Sequence, residues 1–241
     1  MRAARSDVAG VLRAPRGYDR DGGEPGDDVT DHCPTGLDPK KRTVAARERD
    51  EDARAAWWSA VSQVPAERVG VLDETSTNTA MLTRYGWAPR GQRAAAYAPR
   101  NHGPNISLVA ALSVRGAGPA LAVHGPVTTE VFLAYLEQVL VPWLVPGQLV
   151  ILDNLSVHTD ARVRQLLEAA GCELCYLPAY SPDFSPIEAA FAKLKTWLRR
   201  VGARTYDDLV TAIGEGLARI TPRDAAGCFH GCGYRVDGQL L

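Results

Sequence analysis

The chain has 241 residues, 46% of them hydrophobic, which suffices for one good core with an appendage. Lys plus Arg number 27 against 28 for Asp plus Glu, so net charge gives no sign of a nucleic-acid partner and only local charge distribution is informative. No hydrophobic signal segment lies near Met1, no apolar run is long enough to span a bilayer, and the five cysteines are an odd number, so a reducing, cytoplasmic protein with no membrane contact is expected.

Residues 1–39 are rich in Gly, Pro, Asp and Arg, and their apolar residues are thin and aperiodic. Such a segment cannot bury enough surface to offset its ordering entropy and is expected to be disordered. Lys40, Lys41 and Arg42 make a basic cluster, and helix formers from about Val44 to Gln63 predict a linker helix within 40–66, with Ala55, Trp58 and Val61 or Ser62 inward and Pro65 as its stop. The rest, 67–241, reads as one domain. Val69 to Leu72 predicts a buried strand ending at Asp73, and Met81 to Ala98 predicts hairpin strands and turns. Ile106–Val114 and Pro119–Val123 flank Arg115-Gly116-Ala117-Gly118, a hairpin signal. Thr128 or Thr129 caps a helix to about Leu140, with Phe132, Leu136 and Val139 or Leu140 on one face. Leu149–Leu152 is a second buried strand that delivers Asp153 at its end. A helix from about Thr159 to Ala170 stops at Gly171, a strand covers Leu174–Leu177, and a Pro-rich loop leads into a helix carrying Glu188 in its first turn. Tyr206 to Ile220 is a further helix. This order is the layout of a ribonuclease-H-like α/β fold, a mixed sheet of about five strands with helices on both faces.

Asp73 and Asp153 follow the same design, a short apolar strand ending in an acid and a second polar residue, and Glu188 is a third acid on a separate element. A buried carboxylate is costly unless something pairs with it. Three carboxylates brought together from two strand ends and a helix bind hard divalent cations, the arrangement used for two-metal phosphoryl transfer.

The series Asp73-Glu74, Trp87-Ala88-Pro89-Arg90-Gly91, Asp153-Asn154 with His158, and Leu177-Pro178-Ala179-Tyr180-Ser181-Pro182 leading to Pro186-Ile187-Glu188 resembles the DDE transposases of the mariner-like superfamily. It is most similar to their bacterial insertion-sequence branch, the IS six-thirty family. Thirty-four residues separate Asp153 from Glu188, the spacing that superfamily shows. The resemblance runs from about Lys40 to Tyr234. It implies a metal-dependent catalytic domain that cuts and rejoins DNA, with Asp73, Asp153 and Glu188 holding two Mg²⁺ or Mn²⁺ ions. It implies transposon ends and target DNA as partners, with a homodimer as a candidate assembly. The family ordinarily carries a helix-turn-helix region ahead of this domain, and residues 1–39 supply no amphipathic helices for one, so a chain lacking that region is expected.

Each residue also has a plainer reading. Asp73 alone is as well explained by a turn. Ser185-Pro186-Ile187-Glu188 fits a capping box, in which Glu188 reaches back to the Ser185 amide. The helix phase favours a ligand, since Ile187, Phe191, Leu194 and Leu198 make the apolar stripe while Glu188, Ala192, Lys195 and Arg199 share another face. Lys193, Lys195, Arg199, Arg200 and Arg204 form a basic strip suited to a phosphate backbone or to solvent, and Arg90 either lies near DNA or belongs to a turn built around a buried Trp87. Glu74 and Asn154 are read as supporting the ligands, and His158 as orienting a ligand, touching phosphate, or simply satisfied at a helix start. Trp57, Trp58, Trp143 and Trp197, four of the five tryptophans, are read as core. Cys172 with Cys175, and Cys228 with Cys232 around His230, are read as buried thiols in preference to a zinc site. Two rival functions remain: an inactive remnant with loose DNA binding, and a host ribonuclease-H-like nuclease.

Overall fold

The computed structural model describes residues 46–83 and 85–236. The segment 1–39, the Lys40 cluster and the first residues of the predicted linker helix lie outside them. The first described helix, α1 (Glu51–Val61), begins where the Asp50 carboxylate accepts from the Ala53 amide at 2.9 Å. Its inward residues differ from expectation: Arg54 and Val61 are buried, and Ala55 is exposed. The apolar periodicity of this short helix is weak, and Arg54 is buried because it has an acid and an aromatic ring to bind.

Five strands form one mixed sheet in the order β3-β2-β1-β4-β5: β1 (Val69–Thr77), β2 (Ile106–Ser113), β3 (Gly116–His124), β4 (Leu149–Leu152) and β5 (Glu173–Tyr176). β1 to β3 pair antiparallel, whereas β4 lies parallel to both β1 and β5. Alternation along the strands divides the core. Leu149 and Ile151 join Val69, Val71 and Leu108 on one face, and Val150 and Leu152 join Leu72, Val109 and Ala111 on the other. The second face is covered by α2 (Thr129–Tyr135), which runs on through a π turn at Leu136–Leu140, and by α3 (Ala161–Ala169). Tyr135 is fully buried there, its hydroxyl donating to the Pro119 carbonyl at 2.8 Å. The first face is covered by α4 (Pro186–Val201), α5 (Tyr206–Ala218) and α6 (Pro222–Gly231), with the tryptophans of α1 packed at its margin.

Two expectations are corrected. Residues 78–105 contain no strand among those described; the segment is irregular, and Tyr85, Trp87 and Tyr97 are almost wholly exposed, so the buried-Trp turn is also absent. Its apolar residues lack the alternation that would let a hairpin bury one face. α6 was not foreseen, because only Ala225, Ala226 and Phe229 form its buried stripe, although a Thr221–Asp224 capping box marks its start.

The β2–β3 turn closes at Gly116, whose φ is +121° and where an added Cβ would lie 2.9 Å from the Ile220 carbonyl oxygen. Gly116→Ala is therefore expected to cost about 1–3 kcal/mol, read as a lowered urea midpoint with an unchanged slope; unchanged stability would show that the turn relaxes freely.

Candidate active site

Parallel pairing between β1 and β4 covers only Val69–Leu149, Gly70–Val150 and Val71–Ile151. Beyond it the two chains part, at the carboxyl ends of parallel strands, where open α/β sheets form their crevices. Asp73 stands two residues past the last β1 pair, and Asp153 two residues past its partner. Asp73 does not end its strand, as the sequence suggested: β1 continues to Thr77 because β2 goes on pairing with it, Asp73 opposite Ala110 and Thr77 opposite Ile106. The loss of its neighbour on one side alone opens the crevice at this level.

Glu188 enters from α4. Ser185 caps the helix in an extended conformation but makes no side-chain cap bond, and its Oγ is buried without a partner. The capping box is therefore not formed, and the Glu188 carboxylate carries no hydrogen bond or ion pair among the described residues. The apolar stripe of α4 is as expected, with Ile187, Phe191, Leu194 and Leu198 buried and Glu188 exposed. Asp73, Asp153 and Glu188 line one cavity of about 510 Å³, together with Asn154 and the loop from Leu177 to Pro182. Asn154 Nδ2 donates to the Leu177 carbonyl at 2.6 Å, which ties the exit of β4 to this loop. Tyr180, which the sequence reading left without a role, also lines the cavity, exposed and in the left-handed region at φ +56°; a Pro-rich loop gives no local signal for that conformation.

His158 is fully buried and so reaches no phosphate. Its Nδ1 meets Asp153 Oδ1 at 2.5 Å, and the same oxygen accepts from the Leu155 amide at 3.0 Å. On the other side its Nε2 stands 3.4 Å from Glu74 Oε1, an ion-pair distance without hydrogen-bond alignment. Phe132 packs on the imidazole, and Tyr176 Oη donates to the His158 carbonyl at 2.7 Å. The imidazole thus bridges the acid of β4 to the acid that follows Asp73 on β1.

Burial alone would strip the His158 proton, but the Asp153 bond and the two flanking carboxylates outweigh it and raise the group to about 9. Burial likewise opposes ionisation of Asp153, yet the bonds from His158 and the Leu155 amide hold it below its ordinary value. Asp73 goes the other way. Burial, reinforced by the Asp153 and Glu188 charges, lifts it from 3.8 to about 7, against the pull of the Glu74 amide and His158. One carboxyl held ionised and its neighbour pushed toward neutrality mark a site crowded with negative charge.

The basic strip divides by helix phase. Lys195 and Arg199 are half-buried on the side of α4 that carries Glu188. Lys193, paired with Asp224 at 2.5 Å, and Arg200 line a separate cavity of about 660 Å³ with Trp197 and Arg219. Arg90 is exposed in the irregular 78–105 segment. Trp57, Trp58, Trp143 and Trp197 pack, partly buried, against the core, and Cys172, Cys175, Cys228 and Cys232 are free thiols. Among the described residues no helix is long and apolar enough to cross a membrane.

Mg²⁺ and Mn²⁺ take oxygen donors, and the three cavity acids supply only oxygens, so the donor set fits such cations. Among the described residues no three acidic, histidine or cysteine side chains stand close enough to form a ready-made cage. The fit therefore lies in donor chemistry and in a shared cavity.

The family described as DDE superfamily endonuclease matches residues 68–210, more than half of the chain. No curated protein matches it. Among solved structures, a Mos1 transposase paired-end complex with left transposon end is 20% identical at a TM-score of 0.63, covering 82% of this chain and 63% of that one. The Mos1 strand transfer complex is 20% identical at 0.61, covering 82% and 62%. The Mos1 transposase catalytic domain with Raltegravir and Mn is 15% identical at 0.54, covering 76% and 84%. At these identities the likeness shows the fold, the ribonuclease-H-like α/β sheet expected from the element order. The chain spans less than two thirds of the longer Mos1 chains.

The raised Asp73 has a consequence for stability. Unfolded, its carboxyl ionises near 3.8 and, folded, near 7, so the metal-free protein loses stability as pH rises between those values. His158 adds stability that is complete below its ordinary 6.5 and is lost as pH rises through about 9. Asp73→Asn is expected to stabilise the metal-free protein at pH 8 by on the order of 1–2 kcal/mol, allowing for the open cavity, with a smaller gain at pH 5. Melting curves at the two pH values test this, and an equal gain at both would refute the charge assignment.

Proposed function

Because the chain belongs to the DDE superfamily endonucleases, we propose that it is a transposase catalytic domain that cuts and rejoins DNA phosphodiester bonds by two-metal-ion phosphoryl transfer, as in insertion-sequence transposition. The observation that carries this reading is that Asp73, Asp153 and Glu188, from two strands and a helix, line one cavity. Asp73, Asp153 and Glu188 would be the residues that hold the two Mg²⁺ or Mn²⁺ ions. When bound, these cations supply Lewis-acid neutralisation of the charge that builds on a phosphate during in-line displacement. The protein's own part is orientation. His158 fixes the Asp153 carboxylate through Nδ1, with Glu74 holding the far side of the ring. Asn154 holds the loop that walls the cavity.

Lys195 and Arg199, on the Glu188 side of α4, receive the backbone of the cleaved strand. Lys193 and Arg200, which line the separate cavity, and Arg90 in the 78–105 segment contact flanking DNA. The partners are transposon ends and target DNA, a reading supported by the transposon-end and strand transfer complexes named for the structural neighbours, with a homodimer as the candidate assembly. Free thiols support a reducing, cytoplasmic setting.

A plasmid nicking assay with Mn²⁺ tests the chemistry. Wild type is expected to nick and Asp153→Asn to fall to background; equal or absent activity in both would indicate an inactive remnant, and a preference for RNA:DNA hybrids a ribonuclease-H-like nuclease. Lys195→Ala and Arg199→Ala are each expected to weaken DNA binding about equally for all sequences and to lower the slope of log affinity against log salt by about 1. Salt titrations that leave the slope unchanged would remove these residues from the DNA path.

A further inference from the structure

Arg54 on α1 and Asp183 in the turn before α4 are 129 residues apart, yet they form a two-pronged ion pair. Nη1 donates to Oδ1 at 3.1 Å and Nη2 to Oδ2 at 2.6 Å. The Arg54 side chain is 6% exposed, and its guanidinium lies 3.9 Å from the centre of the Phe184 ring. Trp57 and Trp58 stack on the same ring, with centroids at 5.2 and 5.1 Å and interplanar angles of 8° and 24°. Tyr234 Oη donates to the Phe184 carbonyl at 2.9 Å, and Arg49 adds a second cation 3.6 Å from Asp183. A buried guanidinium is expensive unless its donors are matched, and here the fork is matched by Asp183, Nε donates to Glu51 Oε2 at 3.3 Å, and one ring face covers the plane.

This clamp grips the 3₁₀ turn Pro182–Phe184, whose next residue is Ser185, the N-cap of α4, with Glu188 three residues further. The helix start does not secure itself, because the Ser185 side chain makes no cap bond. The placement of its first turn depends on what holds the preceding residues.

We propose that Arg54 is a positioning residue that sets Glu188 in the cavity through Asp183 and Phe184. The inference rests on the reading of Glu188 as a cation ligand. Lysine at this position keeps the charge but loses the fork and the flat stacking surface, so Arg54→Lys isolates the geometry.

The test measures Mn²⁺ affinity by calorimetry on the whole chain without DNA, for wild type, Arg54→Lys, Glu188→Gln, Asp153→Asn and the double variant R54K/E188Q. Arg54→Lys is expected to bind Mn²⁺ about 10-fold more weakly while still melting cooperatively. It should add nothing to the loss caused by Glu188→Gln, because both act on one ligand. Hydrogen exchange of the metal-free R54K protein should accelerate at 185–189 and stay unchanged in β4. Losses that add, or a wild-type affinity in R54K while Glu188→Gln and Asp153→Asn weaken binding, would overturn the clamp and leave the cation site standing. Wild-type affinity in Glu188→Gln and Asp153→Asn would overturn the site and the clamp together. If Arg54→Lys does not fold, Asp183→Asn, which preserves the ring stack, enters the same comparison with Glu188→Gln.

Discussion

The geometry of the cavity depends on how short the parallel seam between β1 and β4 is. Three residue pairs join the strands, and each acid stands two residues past the third. A longer seam would carry Asp73 and Asp153 into the sheet, where neither face has room for an unpaired charge. Continued antiparallel pairing of β1 with β2 keeps Asp73 on rigid backbone while its other side opens. One carboxylate is thus held by a strand and the other by a strand exit that His158 and the Leu155 amide fasten.

The electrostatics and the stability of this region pull against each other. A buried imidazole that keeps its proton offsets part of the negative charge of Asp153 and Glu74, while nothing comparable offsets Asp73, whose proton is retained to about 7. Sites that must bind positive charge commonly carry such local cost, and the rest of the fold supplies the margin. Here the margin is two separate apolar layers, one on each face of the sheet.

Strong periodicity made much of this legible. The uninterrupted apolar run Leu149–Leu152 located β4 and its acid, and the 3.6-residue stripe of α4 separated Glu188 from the core side. What failed were features fixed by distant partners. Arg54 reads as an exposed helix residue until Asp183 and Phe184 are brought to it from far along the chain. Ser185 and Glu188 have the composition of a capping box, but composition cannot say where a side chain turns, and here the cap bond is absent. The 78–105 segment carries turn formers and aromatics that suit a hairpin locally, yet no alternating face would let the strands bury anything. The extension of β1 beyond Asp73 was equally hidden, since it follows from the reach of β2 and from no preference of its own residues.

The outer margin of the sheet shows how this fold guards one strand edge against edge-to-edge pairing. β3 is a nine-residue border strand without an acid, lysine or arginine, a composition that invites a second copy to add its own strand. Pro119 lies within it and has no amide hydrogen to offer, and its carbonyl is already occupied by the Tyr135 hydroxyl. The template is interrupted in the middle by one missing donor and one engaged acceptor, so the border resists templated aggregation without needing charge to repel a partner.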